Sequence, residues 1–148
     1  MIDWLVLFLT VMSIETNGQI KNMRGDEGKA VGIVQIHEIV CREYNQAHKE
    51  QFTHEDCKDA AVSEKICYWY LSKWGEHYKK QTGKDPTPEV LYRIWNGGPD
   101  GWKSDKTKLR GIAAGLAYSK FELMGEEKQW ELYNKWMGNF GSKPTKKK

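Results

Sequence analysis

The chain has 148 residues, with 23 Lys and Arg against 20 Asp and Glu, a formal charge of +3 at pH 7. That length fits one domain with a real hydrophobic core. Four of the lysines, Lys143, Lys146, Lys147 and Lys148, lie in the closing "SKPTKKK", and without them 19 basic residues face 20 acidic ones. A near-neutral body argues against a nucleic-acid or membrane-surface binder, because phosphate recognition needs Lys and Arg clustered on the folded surface.

The predicted organisation is a single domain over residues 1–142 and a basic C-terminal tail over 143–148. The tail reads as a solvated extension, with weak attraction to an anionic wall, membrane or nucleic acid as its functional alternative. The first element is "WLVLFLTVM" (4–12). It is too short to span a bilayer, which needs about 20 apolar residues. Asp3 stands where a signal peptide would carry basic residues, and no small-x-small cleavage site follows. The expectation is a helix capped by Asp3, running from Trp4 to Glu15 and apolar almost all round, hence central to the core.

From 17 to 34 the chain changes character. Asn17, Gly18, Gly25, Gly28 and Gly32 break helicity, and "RGDEGK" reads as a tight turn joining two short strands, a hairpin near 22–34. A second helix is predicted from about His37 to His48, with Ile39, Val40 and Tyr44 on one face. The longest helical pattern runs from about Asp56 to Thr82, with Ala60, Ile66, Trp69, Tyr70, Leu71 and Trp74 at spacings of three and four. Gly83 is its stop, and Thr87–Pro88 is an N-cap and first-turn pair for a short helix, "EVLYRIW". That helix enters a glycine–proline turn, "NGGPDGW". Helices over about 105–123 and 125–138 complete a mainly α (α+β) fold with at most a small β-hairpin.

Eighteen aromatic residues, seven of them Trp, are many for this length. Most serve core packing, while some can act as platforms for sugars or bases. Cys41, Cys57 and Cys67 match no metal spacing and are odd in number, so buried or free thiols are expected, with at most one disulfide. His54 and His77 have no partners at metal spacing. No metal and no cofactor is expected.

Glu15 closes the apolar helix. Desolvation there disfavours the carboxylate, so such a glutamate can hold a proton near neutral pH and donate it. A lone glutamate at a helix end is more often simply exposed. The context adds to it. "IETNG", then "GDEGKAVGIVQI", then "RIWNGGP" some sixty residues later, resemble in order and rough spacing the lysozyme-like superfamily, closest to goose-type and invertebrate-type lysozymes and lytic transglycosylases. In that superfamily a Glu-Ser or Glu-Thr closes a buried helix, a Gly-x-x-Gln-Ile/Val segment follows, and a Tyr-Asn-Ala-Gly turn comes later. Here these are Glu15-Thr16, Gly32 to Ile36, and Trp95-Asn96-Gly97-Gly98. The resemblance covers residues 4–102.

The resemblance implies a lysozyme-like helical domain in which Glu15 is the catalytic acid. Asp26, nine residues before Gln35, takes the place of the second acid of the goose-type turn. Gln35 would shape the cleft floor, Asn96 and the adjoining Gly97 backbone would contact the sugar, and Trp95 would replace the usual tyrosine as an aromatic wall. His37 stands where goose-type enzymes carry another aspartate; it is a substrate-binding candidate, with a cap for the following helix favoured over a catalytic role. Asp26 and Glu27 are also ordinary turn residues, Gln35 can serve backbone hydrogen bonding alone, and Trp95 can be core.

The implied activity is cleavage of the β-1,4 bond between N-acetylmuramic acid and N-acetylglucosamine in peptidoglycan. Hydrolysis needs an acid for the leaving oxygen and a group that stabilises the oxocarbenium-like centre or activates water. In a lytic transglycosylase the sugar's own hydroxyl attacks, Glu15 suffices, and the product is an anhydro sugar. Both outcomes fit the sequence, and a third reading is a catalytically silent module that binds peptidoglycan or chitin oligosaccharides. The implied partner is the glycan strand and the expected state a monomer. Without a signal peptide or membrane insertion, the expected route to the wall is cytoplasmic synthesis followed by lysis, or carriage by a virion or export apparatus.

Overall fold

The computed structural model describes residues 1–141; the expected basic tail at 143–148 lies outside the described residues. Helix α1 spans Trp4–Glu15, with Asp3 Oδ1 accepting from the Leu5 and Val6 N–H groups at 3.0 and 3.3 Å. Residues Val6 to Met12 are buried without interruption, so α1 runs through the middle of the core rather than lying on it. Each such aliphatic or aromatic side chain stabilises the fold by about 1.5–3 kcal/mol. The helix ends at Thr16, whose hydroxyl donates to Ile33 O at 2.8 Å and ties the end of α1 to the next segment.

That segment is a three-stranded antiparallel sheet, β1 (Arg24–Gly25), β2 (Ala30–Val31) and β3 (Ile36–His37). Gly25 pairs with Ala30, and Ala30 in turn with His37. The expected hairpin is present as β1–β2, and β3 is an addition. Strands of two residues carry no alternating pattern to read. The connections bend through left-handed residues: Asp26 and Glu27 between β1 and β2, Gly32 and Gln35 between β2 and β3.

Helix α2 covers Glu38–His48. Its buried positions are Cys41 and Tyr44, while Ile39 is 62% exposed, so the expected apolar face is rotated: Cys41, a small hydrophobe, takes the inward position. The predicted helix from Asp56 divides in two. A short 3₁₀ segment, His54–Lys58, is closed at its start by a Thr53–Asp56 capping box. Helix α3 then begins at Ala60, where Asp59 Oδ1 accepts from the Ala61 and Val62 N–H groups at 2.8 and 3.2 Å. Two successive caps and an extended Asp59 interrupt what the apolar spacing makes look continuous.

Helix α3 ends at Thr82, with Gly83 left-handed at φ 75°. Thr87 caps helix α4 (Pro88–Gly97) through the Val90 N–H at 3.2 Å. The helix runs two residues past Trp95, so Asn96 and Gly97 form its last turn instead of the start of the glycine–proline turn. Helices α5 (Lys108–Met124) and α6 (Glu126–Asn139) are separated by Gly125 at φ 93°. Helix α5 packs on both α1 and α4, which brings the basic segment after residue 103 to the end of α1 where Glu15 stands. Cys41, Cys57 and Cys67 are buried free thiols. No described helix is long and apolar enough to cross a membrane.

Candidate active site

A polar cleft of about 360 Å³ opens where the ends of α1 and α4, the first turn of α5 and the sheet meet. Glu15 lines it with its side chain only 12% exposed. Tyr92, buried in α4, donates its hydroxyl hydrogen to Glu15 Oε2. Arg110 of α5 donates from Nη2 to the Tyr92 hydroxyl oxygen at 2.8 Å, and the same nitrogen lies 3.5 Å from Glu15 Oε2. Arg110, Tyr92 and Glu15 thus form an ordered chain of donors ending on the carboxyl group, drawn from three helices.

Burial pushes the Glu15 carboxyl above the ordinary glutamate range, and the Tyr92 hydrogen bond and the Arg110 charge hold it back without cancelling that rise. Burial, reinforced by the neighbouring Glu15, raises the Tyr92 phenol further above its ordinary range, so Tyr92 stays a donor. Replacing it tests this arrangement: Tyr92→Phe removes a hydrogen bond that favours the ionised carboxyl. A ¹³C NMR titration of the Glu15 carboxyl in that variant is expected to show a higher pKa than in the parent; a lower one would break the argument.

The sheet side supplies the remaining groups. Asp26 sits on the β1–β2 connection at φ 53°, its side chain 61% exposed, with Oδ2 at 3.5 Å from His37 Nε2. Both side chains line the cleft. His37 occupies the N-cap position of α2 but makes no side-chain cap bond; its ring turns to Asp26, which replaces the capping role open to it in the sequence.

Gln35 lies at φ 59°. Its amide nitrogen donates to Met23 O at 2.8 Å and Gly32 O at 2.9 Å, with Asn22 O at 3.2 Å. These carbonyls hold an uncommon backbone conformation for a non-glycine residue, so Gln35 braces the loop as well as lining the cleft. Its Oε1 comes within 2.3 Å of where a Cβ on Gly25 would be, which is why β1 carries glycine there.

Trp95 donates its indole N–H to Val34 O at 2.9 Å and meets Tyr70 edge-on at 5.5 Å. It therefore fastens α4 to the β2–β3 connection while one side lines the cleft. Asn96, exposed, lines the cleft beside it. The open side of Gly97 faces elsewhere: a Cβ there would lie 2.7 Å from Thr107 Cγ2, so this glycine allows α4 to approach the start of α5.

Six of the seven candidate residues are thus brought to one cleft, Gly97 being turned to packing. Sequence reasoning missed Tyr92 and Arg110. Tyr92 precedes Asn96 by four positions and shares its helix face, which was a usable signal; nothing local marks Arg110. A second groove, of about 500 Å³, lies between Trp4, Tyr68, Leu71 and Leu91. Its Lys79 and Asp85 are exposed and pair with each other at 3.1 Å, and it holds no buried acid comparable to Glu15. No protein-family model, no curated protein and no solved structure matches the chain.

Proposed function

We propose that the chain is a peptidoglycan-cleaving muramidase in which Glu15 is the general acid and the bacterial cell wall is the target. The observation that carries this reading is a nearly buried carboxyl group, pushed toward its protonated form by burial, opening onto a polar cleft that holds a second carboxylate. The motif resemblance around Glu15, Gln35 and Asn96 supports the same assignment. In the reaction Glu15 gives its proton to the oxygen between the two sugars, and the bond from that oxygen to the anomeric carbon breaks. Water then adds to the anomeric carbon and loses a proton to the Asp26–His37 pair.

One feature favours transglycosylation as a second reading. Asp26 is a widely exposed turn residue, so its carboxylate is not desolvated as a water-activating base at a closed site would be. In that reaction a hydroxyl of the muramyl residue attacks its own anomeric carbon, Glu15 first gives and then recovers a proton, and no water is consumed.

The test is to incubate purified peptidoglycan with the protein and identify the released fragments by mass spectrometry. Muropeptides with reducing ends are the expected products; anhydro-muramyl ends would establish transglycosylation. Binding without release would leave a silent glycan-binding module and overturn the enzymatic reading. Asp26→Asn separates the two chemistries: hydrolysis through Asp26 predicts a fall of about 10²-fold or more in rate, the usual range for a proton-transferring group. An unchanged rate removes Asp26 from the mechanism.

A further inference from the structure

Arg110 does more than its bonds to Tyr92 and Glu15 require. Its side chain is 48% exposed and lines the cleft. Nε and Nη2 address a single acceptor, the Tyr92 hydroxyl, at 3.3 and 2.8 Å, and the guanidinium also lies over the Tyr92 ring at 5.8 Å from its centre. The separation from Glu15 is 3.5 Å, at the long limit of a hydrogen bond. A guanidinium has five N–H donors in a planar fork suited to a carboxylate. The Tyr92 and Glu15 contacts engage part of that fork only.

The neighbouring cations are occupied differently. Arg93 is spent on Thr107 Oγ1 and Ser104 O at 2.8 Å each, inside the packing of α4 against the start of α5. Lys103 and Lys108 lie 3.6 Å from Asp100 and Asp105 respectively. Arg110 also stands in the first turn of α5, which has no acidic side chain and no side-chain cap, so the positive end of that helix adds to the attraction for an anion.

From this geometry we infer that Arg110 is the anion-reading residue of the cleft, holding a carboxylate on the glycan so that acidic strands are selected over neutral ones. The inference rests on the cleft being a glycan site, as proposed above. Two sources offer the same chemistry in peptidoglycan: the lactyl carboxyl of a muramyl residue lacking its peptide, and the free carboxylates of the peptide stem. A neutral chitin-type sugar offers neither. Arg110 is a specificity-determining residue in this scheme, and its bonds to Tyr92 keep it at the cleft when no carboxylate is bound.

The experiment compares kcat/KM on three glycans: intact peptidoglycan strands, strands stripped of peptide so that the lactyl carboxylates are free, and the stripped strands with those carboxyls reduced to alcohols. The parent protein is expected to prefer a carboxylate-bearing strand over the reduced one by about tenfold or more, as for a charge-assisted hydrogen-bonded pair. Preference for the stripped strand identifies the lactyl carboxylate, and preference for the intact strand alone identifies the peptide stem. Arg110→Gln should bring the ratio to within twofold, and Arg110→Lys should restore part of it. A ratio unchanged in Arg110→Gln overturns the inference even if every strand is cleaved. Calorimetric binding of the same strands to Glu15→Gln and to the Glu15→Gln, Arg110→Gln double variant keeps the question separate from catalysis. Loss of the carboxylate preference only in the double variant supports Arg110, whether or not the parent cleaves; equal preference in both rejects it.

Discussion

Glu15→Gln is expected to reduce the proposed peptidoglycan cleavage by about 10²- to 10⁴-fold, the usual contribution of a general acid, while gaining stability on the parent as pH rises toward neutrality. The two effects share a cause. Burial raises the folded-state pKa of Glu15 above its unfolded value, near 4.5. The folded protein therefore holds this proton more tightly than the unfolded chain does. That contribution is fully present below the unfolded pKa and is lost as pH rises through the folded one. Above the folded pKa the parent bears the cost of an ionised carboxyl in a desolvated position, a cost absent while the proton is retained.

A glutamine there has no charge to desolvate, and its carbonyl still accepts from Tyr92. Arg110 loses a charge partner, but one 3.5 Å away, and its own side chain is 48% exposed, so solvent screens much of the loss. Chemical unfolding at several pH values should show Glu15→Gln gaining steadily on the parent as pH rises from about 4.5 toward neutrality. If the gap stays constant across that range, burial does not raise the Glu15 pKa. If cleavage persists undiminished in the variant, Glu15 is not the proton donor.

Gly32→Ala should be among the most destabilising single substitutions in the molecule, at about 3–4 kcal/mol. Gly32 lies at φ 92°, and a Cβ there would stand 2.1 Å from Cys57 O and 2.9 Å from Ser63 Oγ. Neither neighbour has room to retreat. Cys57 is completely buried, and Ser63 Oγ is itself bonded to Cys57 O at 2.7 Å. Gly28 provides the control, because it too has positive φ, 86°, but no atom of the described residues lies within 4 Å of its Cβ position.

Gly28→Ala thus isolates the conformational cost, about 1 kcal/mol, and the difference between the two variants measures the clash. Similar urea midpoints for both would refute it. The functional consequence follows from what comes next in the chain. Ile33 O and Val34 O accept from Thr16 and Trp95, so displacing this loop loosens the cleft on two sides at once.

The helices were legible wherever their signals are local. Asp3, Thr87–Pro88 and Gly83 act on N–H and C=O groups within a turn of themselves, and their roles follow from residue type. The apolar run of α1 is so continuous that burial is its only stable outcome. Reading was less successful where two local signals compete. Apolar spacing carries the α3 pattern back to Asp56, but the Asp59 cap restarts the helix at Ala60. In α2 both Ile39 and Cys41 are eligible for the core, and packing against α3 and the 3₁₀ segment selects Cys41.

The amino-acid sequence by itself determined that this is a mainly helical chain with a carboxyl group at the end of its most apolar helix, because caps and periodicity depend on neighbours a few residues apart. The surroundings of that carboxyl group were decided by tertiary structure alone. Tyr92 is 77 positions away from Glu15 and Arg110 is 95, and they reach it only because α4 and α5 pack together at the end of α1. Whether a glutamate is an exposed charge or a retained proton depends on desolvation and on opposing charge, and both come from residues distant in the chain.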